Sequence, residues 1–538
     1  VHARPPMRVV PPPAGARMDR DVPVPMRDGT VLRVNVMRPD APGRFPVLMC
    51  MHPYGKDALP RRRRGRWRAP LQTRLLPQSV PYTVSAWTSW EAPDPGAWVP
   101  RGYVVVNCDL RGWGRSDGVG ELLSAQEGRD CHDLVEWAAA QPWSTGRVGL
   151  TGVSYLAISQ WRTAAERPPH LAAICPWEGF TDPYRDLLRP GGVREDGFVR
   201  MWTTMLRRQR RSPVDVRRQQ VARPLRDAWY AEHTPDLARI EVPALVCGSF
   251  SDHNLHSGGS FAGFAGIASR ERWLYTHRGP KWSTYYGADA LAAQARFFDH
   301  FLRGEDTGMA DEPRVRVEVR EDAATVVAVR GEPRWPPPAT RWTALHLHPP
   351  GTLAPSPPPA AGTVPFDVRR GRAAFTWVLP EDTELTGPMA LRLHLEVRDA
   401  SDVLLFVAVR KLRGGREVGF EGSYGFTRAP VTVGWLRASH RRLDPDRSEP
   451  WLPVHPHDRE EPLAPGEVVQ ADVPLLPSAT LFRAGEALRL EVAGRWPEAR
   501  NPLTGPFPAA YEHSTGGTCV LHCGGPHDAR LLVPVQPG

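Results

Sequence analysis

No run of 18 or more apolar residues occurs in the 538-residue chain, which excludes an ordinary membrane-spanning helix. The opening stretch, VHARPPMRVVPPPAGARMDR, lacks the apolar centre of a secretory signal. Rich in Pro and Arg, it reads as a disordered surface arm, and a cytoplasmic protein is expected. Cysteine is scarce and odd in number, seven in all, which argues against a disulfide framework. Cys50, Cys108, Cys175 and Cys247 lie in or at the ends of apolar runs, as buried thiols do. Cys519 and Cys523 have no second pair with which to complete a zinc site. Helical periodicity is missing beyond Glu312, and no internal repeat is found. The net charge of +9 is largely arginine, concentrated at Arg61–Arg68 and Arg207–Arg218. No nucleic-acid-binding motif accompanies either cluster, so both read as solvated surface.

What is present is ordinary globular composition, 41% hydrophobic and 24% charged, in a chain long enough for several cores. Asp21 to Val36 alternates as a hairpin turning at Asp28-Gly29. Apolar runs at 45–51, 103–108, 148–151, 171–176, 242–249 and 272–276 read as buried strands. Helical patterns at 127–141, 158–165 and 288–302 alternate with them, which predicts a parallel α/β sheet. Between Trp177 and Ile240 the strand pattern stops and a basic, partly helical insertion is expected to cap the sheet. Past Glu312 the period becomes two, the signature of an all-β sandwich. The predicted organisation is an arm (1–20), an α/β core (21–176 and 241–311) interrupted by a helical cap (177–240), and a β-sandwich (312–538).

Chemistry concentrates at Gly152-Val153-Ser154-Tyr155-Leu156, where a strand turns into a helix with serine at the apex. That is the form of a nucleophile elbow, although Leu156 stands where the G-x-S-x-G pattern has glycine, and a plain strand–helix turn fits too. Ser154, Asp252 and His277 follow three predicted strands in the order nucleophile, acid, base. Asp252 as a helix cap and His277 as a packed loop histidine are the competing readings. His253 and His256 stand too near Asp252 in the chain to be held by it in triad geometry, and His300 lies within the last helix. The Tyr155 N–H is one candidate oxyanion donor. Tyr54, after the strand at 45–51, is either a second donor or a tyrosine closing the sheet. Trp177, Tyr184, Phe250 and Tyr155 either line the substrate pocket or pack in the core. Glu178 and Glu195 are the acids available to hold a substrate amine.

Taken together, several segments resemble the cocaine esterase and X-Pro dipeptidyl-peptidase group of α/β hydrolases, the peptidase S15 family. They are His52-Pro53-Tyr54, the DLRGWGRSDG of 109–118, EWAAAQPW at 136–143, Gly152-Val153-Ser154-Tyr155, Ser251-Asp252 and FDHFLRG at 298–304. GWLRASH at 434–440 and HPHD at 455–458 resemble that group's C-terminal domain. The resemblance implies an α/β-hydrolase core, a helical cap, a C-terminal jelly roll, and Tyr54 as oxyanion donor. It also implies that Leu156 is tolerated. One departure stands out: many members carry the histidine in G-P-W-S-H, whereas here the region reads THRGPKW, with His277 earlier.

The expected activity is that of a serine hydrolase cleaving an ester or amide acyl bond through an acyl-enzyme on Ser154. That chemistry requires no metal or cofactor. The expected partner is a small acyl substrate, with no nucleic acid and no membrane, and a homodimer is allowed. An acyltransferase or lactone-forming enzyme would use the same machinery with another acceptor, and a non-catalytic binding protein would keep only the scaffold.

Overall fold

Strand β1 (Ala16–Pro25) turns at Asp28 and Gly29 and returns antiparallel as β2 (Val31–Pro39). Gly29 takes the left-handed conformation, φ 81°, that the turn demands. The computed structural model describes residues 7–70, 73, 74, 76, 78–207, 215–422, 424, 428–498 and 507–537. From β2 the sheet continues through β3 (Phe45–His52), β4 (Val104–Asp109), β5 (Ser144–Val153), β6 (Leu171–Trp177), β7 (Ala244–Ser249), β8 (Arg272–His277), β9 (Val315–Arg320) and β10 (Val326–Glu332). Their spatial order is β1-β2-β4-β3-β5-β6-β7-β8-β9-β10, parallel from β4 to β9. The predicted apolar runs are therefore parallel strands. Residues of β4 and β7 are all buried, because helices cover the faces of the sheet. Helices α1 (Ala125–Ala139) and α2 (Tyr155–Ala165) pack on one another and on β5.

The N-terminal stretch departs from the expected disordered arm. Met7–Val10 pairs in parallel with Tyr82–Ser85, and residues 16–20 already belong to β1. Its partner lies in the irregular segment 57–100, whose periodicity gives no sign of a strand, so the pairing is invisible locally. The segment between β6 and β7, expected to be a cap, contains α3 (Phe198–Arg207), α4 (Val216–Ala222) and a short helix, Ala228–Glu232. The first arginine cluster forms an exposed two-stranded ribbon, Arg61–Arg63 against Arg66–Arg68. Arg208, Arg210 and Arg211 of the second fall outside the described residues. All seven cysteines are buried and unbridged.

The C-terminal domain is rich in antiparallel strands. Thr383–Arg398 pairs with Val469–Phe482, Thr518–Cys523 and Arg530–Val535. Leu404–Arg413 pairs with Thr432–Arg437 and Ala487–Ala493. The strands wrap into a barrel-like arrangement around Leu391, Leu393, Val407, Val473 and Leu490. Arg278, directly after β8, fastens this domain to the core. Its guanidinium donates to Pro430 O (2.5 Å), Val431 O (3.0 Å) and Ser478 Oγ (3.2 Å) and covers the Phe420 ring at 3.9 Å.

Candidate active site

β5 ends at Val153, and α2 begins at Tyr155, leaving Ser154 alone at the apex. Ser154 sits at φ 61°, ψ −118°, a conformation that a side chain adopts only under local constraint. The constraint is supplied on both sides. The Val153 N–H donates to Glu91 O (3.1 Å), the Ser154 N–H to Trp177 O (3.1 Å), and the Ala157 and Ile158 N–H groups to Ser154 O (both 2.9 Å). Gly152 has φ 146°, and a Cβ there would stand 2.5 Å from the Leu156 Cβ. Leu156 thus occupies the space that Gly152 leaves open, which explains how this elbow carries leucine at the usual glycine position.

Ser154 Oγ lies 2.9 Å from His256 Nε2. This differs from the expected pairing with His277, whose two ring nitrogens are both engaged elsewhere. Its Nδ1 accepts from the Gly279 N–H (3.2 Å), and its Nε2 therefore carries the proton donated to Glu178 Oε1 (3.1 Å). No nitrogen of His277 is left for the serine. Nor does Asp252 hold His277: Asp252 Oδ2 receives the Lys281 ammonium at 2.5 Å, and Glu178 Oε2 lies 3.7 Å from the same ammonium. Ser154, Asp252 and His277 share one end of the sheet, but their polar side-chain atoms bond to other partners. His256 belongs to the loop after β7, just before α5 (Ser257–Gly266), and its N–H donates to Asp252 O at 3.2 Å. It stacks on Phe180 with ring centroids 5.7 Å apart. Its Nδ1 has no hydrogen-bond partner among the described residues. Burial, and then the Lys281 charge, hold its proton affinity well below the ordinary histidine value.

Tyr54 follows β3 and is buried, its ring edge-on to Tyr155 at 6.3 Å between centroids. Burial and the nearby Glu91 raise its phenol well above the usual range, so the O–H remains a donor. The Tyr155 hydroxyl donates to Glu127 Oε1 (2.5 Å) and accepts from the Leu123 N–H (3.0 Å), which pins the residue after the nucleophile. Burial pushes Glu127 up to about 8. Glu91, bonded to Trp282 Nε1 at 3.0 Å, is likewise pushed to about 8 by burial. Ser154, Glu91 (φ 62°) and Glu178 (φ 51°) are all non-glycine residues at positive φ, so backbone strain gathers here.

The expected pocket residues are core residues. Trp177 packs on Tyr275 (5.0 Å) and Tyr285 (5.5 Å), Tyr184 donates to Pro224 O (2.8 Å), and Phe250 packs on Phe261 (5.5 Å); each is fully buried. The reason is position: Trp177 ends β6, Phe250 directly follows β7 and Tyr184 lies in the segment between those strands, where aromatic bulk fills space between layers. Glu195 caps α3, accepting from the Gly197, Phe198 and Val199 N–H groups (2.7, 2.8 and 2.9 Å). The aromatics that meet beside Tyr155 are others. Trp202 of α3 lies 6.0 Å from Tyr155, and Phe198 stacks on Tyr424 of the C-terminal domain at 6.1 Å. Tyr424 also faces Trp282 (5.7 Å) and Phe507 (5.4 Å). Sequence reasoning missed His256 because it sought a base with its own carboxylate, and this one has none on its ring among the described residues. The available signal was a second histidine on the same loop as Asp252.

Residues 28–280 match the model of the X-Pro dipeptidyl-peptidase (S15 family), and residues 307–532 match the X-Pro dipeptidyl-peptidase C-terminal non-catalytic domain. A CocE/NonD family hydrolase from Staphylococcus aureus is 37% identical, with a TM-score of 0.91 over 97% of this chain and 93% of its own. The chain belongs to the CocE/NonD hydrolases of the S15 family. This S15 hydrolase is 26% identical to cocaine esterase of a Rhodococcus species, over 96% of this chain and 98% of the relative. An aminopeptidase from a marine sediment archaeon, Thaumarchaeota archaeon, shares the fold, with 15% identity and a TM-score of 0.73 over 97% of each chain. The family makes the protein a serine hydrolase with a strand-rich second domain.

Proposed function

We propose that this S15 hydrolase cleaves ester or amide acyl bonds through an acyl-enzyme on Ser154, with His256 rather than His277 as the base. The observation that carries the reading is the 2.9 Å approach of Ser154 Oγ to His256 Nε2 at a strained elbow. In the first step the Oγ–H proton passes to Nε2 as Oγ bonds to the acyl carbon, and the carbonyl π pair moves onto oxygen. The Tyr155 N–H and the Tyr54 O–H are the proposed donors to that oxyanion. Collapse expels the leaving group, which takes the proton from Nε2. Water then repeats the sequence on the acyl-enzyme, giving the acid and free Ser154. We assign the wall of the acyl site to Trp202, Phe198, Tyr424 and Phe507, and read the C-terminal domain as a jelly roll that screens the site.

A fluorophosphonate probe, followed by peptide mass spectrometry, tests this directly. A single adduct on Ser154, blocked by prior incubation with a p-nitrophenyl ester, is expected. An unlabelled Ser154 in protein that still hydrolyses the ester overturns the reading. Products formed with an added alcohol separate hydrolysis from acyl transfer.

A further inference from the structure

Residues Ser124 to Glu127, SAQE, spell a capping box at the start of α1. In that motif the serine side chain takes the third N–H of the helix, and the glutamate reaches back to the serine N–H. The structure uses neither arm. Ser124 stands at the N-cap, but its Oγ makes no capping bond and has no hydrogen-bond partner among the described residues. Glu127 turns inward instead. It is buried, and its Oε1 accepts the Tyr155 O–H at 2.5 Å. Leu123, just before the cap, donates its N–H to the same phenol oxygen at 3.0 Å. It sits at φ 62°, a left-handed conformation that a leucine rarely adopts.

An uncapped serine, a carboxyl taken out of water and a leucine in left-handed backbone each cost stability. All three meet around one phenol. A buried phenol is satisfied by a single partner, and it does not require a helix to give up its own cap. Tyr155 directly follows Ser154, and its backbone N–H has no acceptor among the described residues. It is the first N–H of α2, so nothing within that helix can take it. The Tyr155 ring meets Tyr54 edge-on at 6.3 Å and lies 6.0 Å from Trp202. A shift of this ring would disturb both proposed oxyanion donors, the Tyr155 N–H through its own backbone and Tyr54 through the ring contact.

We propose, building on the reading of Ser154 as the acylated nucleophile, that Glu127 is a positioning residue: with the Leu123 N–H it clamps the Tyr155 phenol and so aims the Tyr155 N–H at the oxyanion. Glu127 touches neither the acyl group nor Ser154. Its effect is felt where negative charge gathers on the carbonyl oxygen, in the transition state and not in the bound substrate.

The test compares hydrolysis of p-nitrophenyl acetate by the full chain with its inhibition by trifluoroacetophenone. Ser154 Oγ adds to the ketone carbon, the Oγ–H proton passes to His256 Nε2, and the carbonyl oxygen becomes a stable oxyanion. In Glu127→Ala and in Tyr155→Phe, kcat should fall about 10- to 100-fold, less than the about 10²–10³-fold of losing a donor outright. Ki for the ketone should rise by the same factor while KM stays within about twofold. The double variant should be no slower than Tyr155→Phe alone, because both changes open one clamp. Burial pushes Glu127 up to about 8, so it meets Tyr155 uncharged at pH 7, and Glu127→Gln should keep most of the activity. A lower melting midpoint with Ki unchanged makes the clamp structural only and overturns the proposal. So does Tyr155→Phe within about twofold of wild type in kcat and Ki; with Ser154 still labelled by fluorophosphonate, that result leaves the acyl-enzyme reading standing. An unlabelled Ser154 in active wild type overturns both. Should Glu127→Ala fail to fold, Tyr155→Phe, which removes a single oxygen, decides.

Discussion

Replacing His256 and His277 separately by alanine distinguishes the two histidines. His256→Ala removes the only ring nitrogen within hydrogen-bond distance of Ser154 Oγ among the described residues. General-base catalysis is worth about 10²–10⁴-fold, or about 3 to 5 kcal/mol of barrier, so kcat should fall within or beyond that range while KM changes little. The fold should survive, since His256 Nδ1 makes no bond that is lost. His277→Ala acts on stability instead. It strips Glu178 Oε1 of its donor and the Gly279 N–H of its acceptor, both fully inside the protein. Each orphaned group costs about 1–3 kcal/mol, so the melting midpoint should fall clearly. Steady-state kinetics on a p-nitrophenyl ester, the rate of fluorophosphonate labelling, and calorimetry on the same samples measure all three quantities. A folded His256→Ala variant within about threefold of wild type, beside a folded His277→Ala variant reduced about a thousandfold, would refute the reasoning and restore His277 as the base.

Tyr54→Phe removes one proposed oxyanion donor and should lower kcat about 10²–10³-fold with KM nearly unchanged; a change in KM alone would make Tyr54 a substrate contact only. Arg278→Met strands the Pro430 and Val431 carbonyls at the domain junction, so limited proteolysis should cut between the domains faster than in wild type. An unaltered digestion pattern would remove Arg278 from the junction. Glu91 is raised from 4.5 to about 8 by burial, so its contribution to stability is complete below pH 4.5 and is lost as pH rises through about 8. Glu91→Gln should therefore be no less stable than wild type at pH 5 and increasingly more stable toward pH 9, as read by denaturant midpoints. A gap that stays constant with pH would show that Glu91 ionises freely.

Much of the architecture was legible because it rests on periodicity. The runs at 45–51 and 103–108 are almost wholly apolar, Asn107 excepted, since both their faces are covered, and that pattern needs no knowledge of partners. The elbow was legible for the same local reason, a strand followed directly by a helix with small Gly152 ahead of Ser154. The Met7–Val10 strand was not, because its pairing with Tyr82–Ser85 joins segments more than seventy residues apart, neither of which carries a period of its own.

The amino-acid sequence by itself determined which strands are buried, where the chain turns sharply with a serine at the apex, and that a β-rich domain follows. Only the tertiary structure decided which histidine meets that serine. Asp252 and His256 on the loop after β7, His277 at the end of β8 and Lys281 just beyond it all fall at one end of the sheet. Order along the chain cannot rank partners at such short range. The choice is made by side-chain reach and by charge: the ammonium of Lys281 claims Asp252, Glu178 claims His277, and His256 is left facing Ser154.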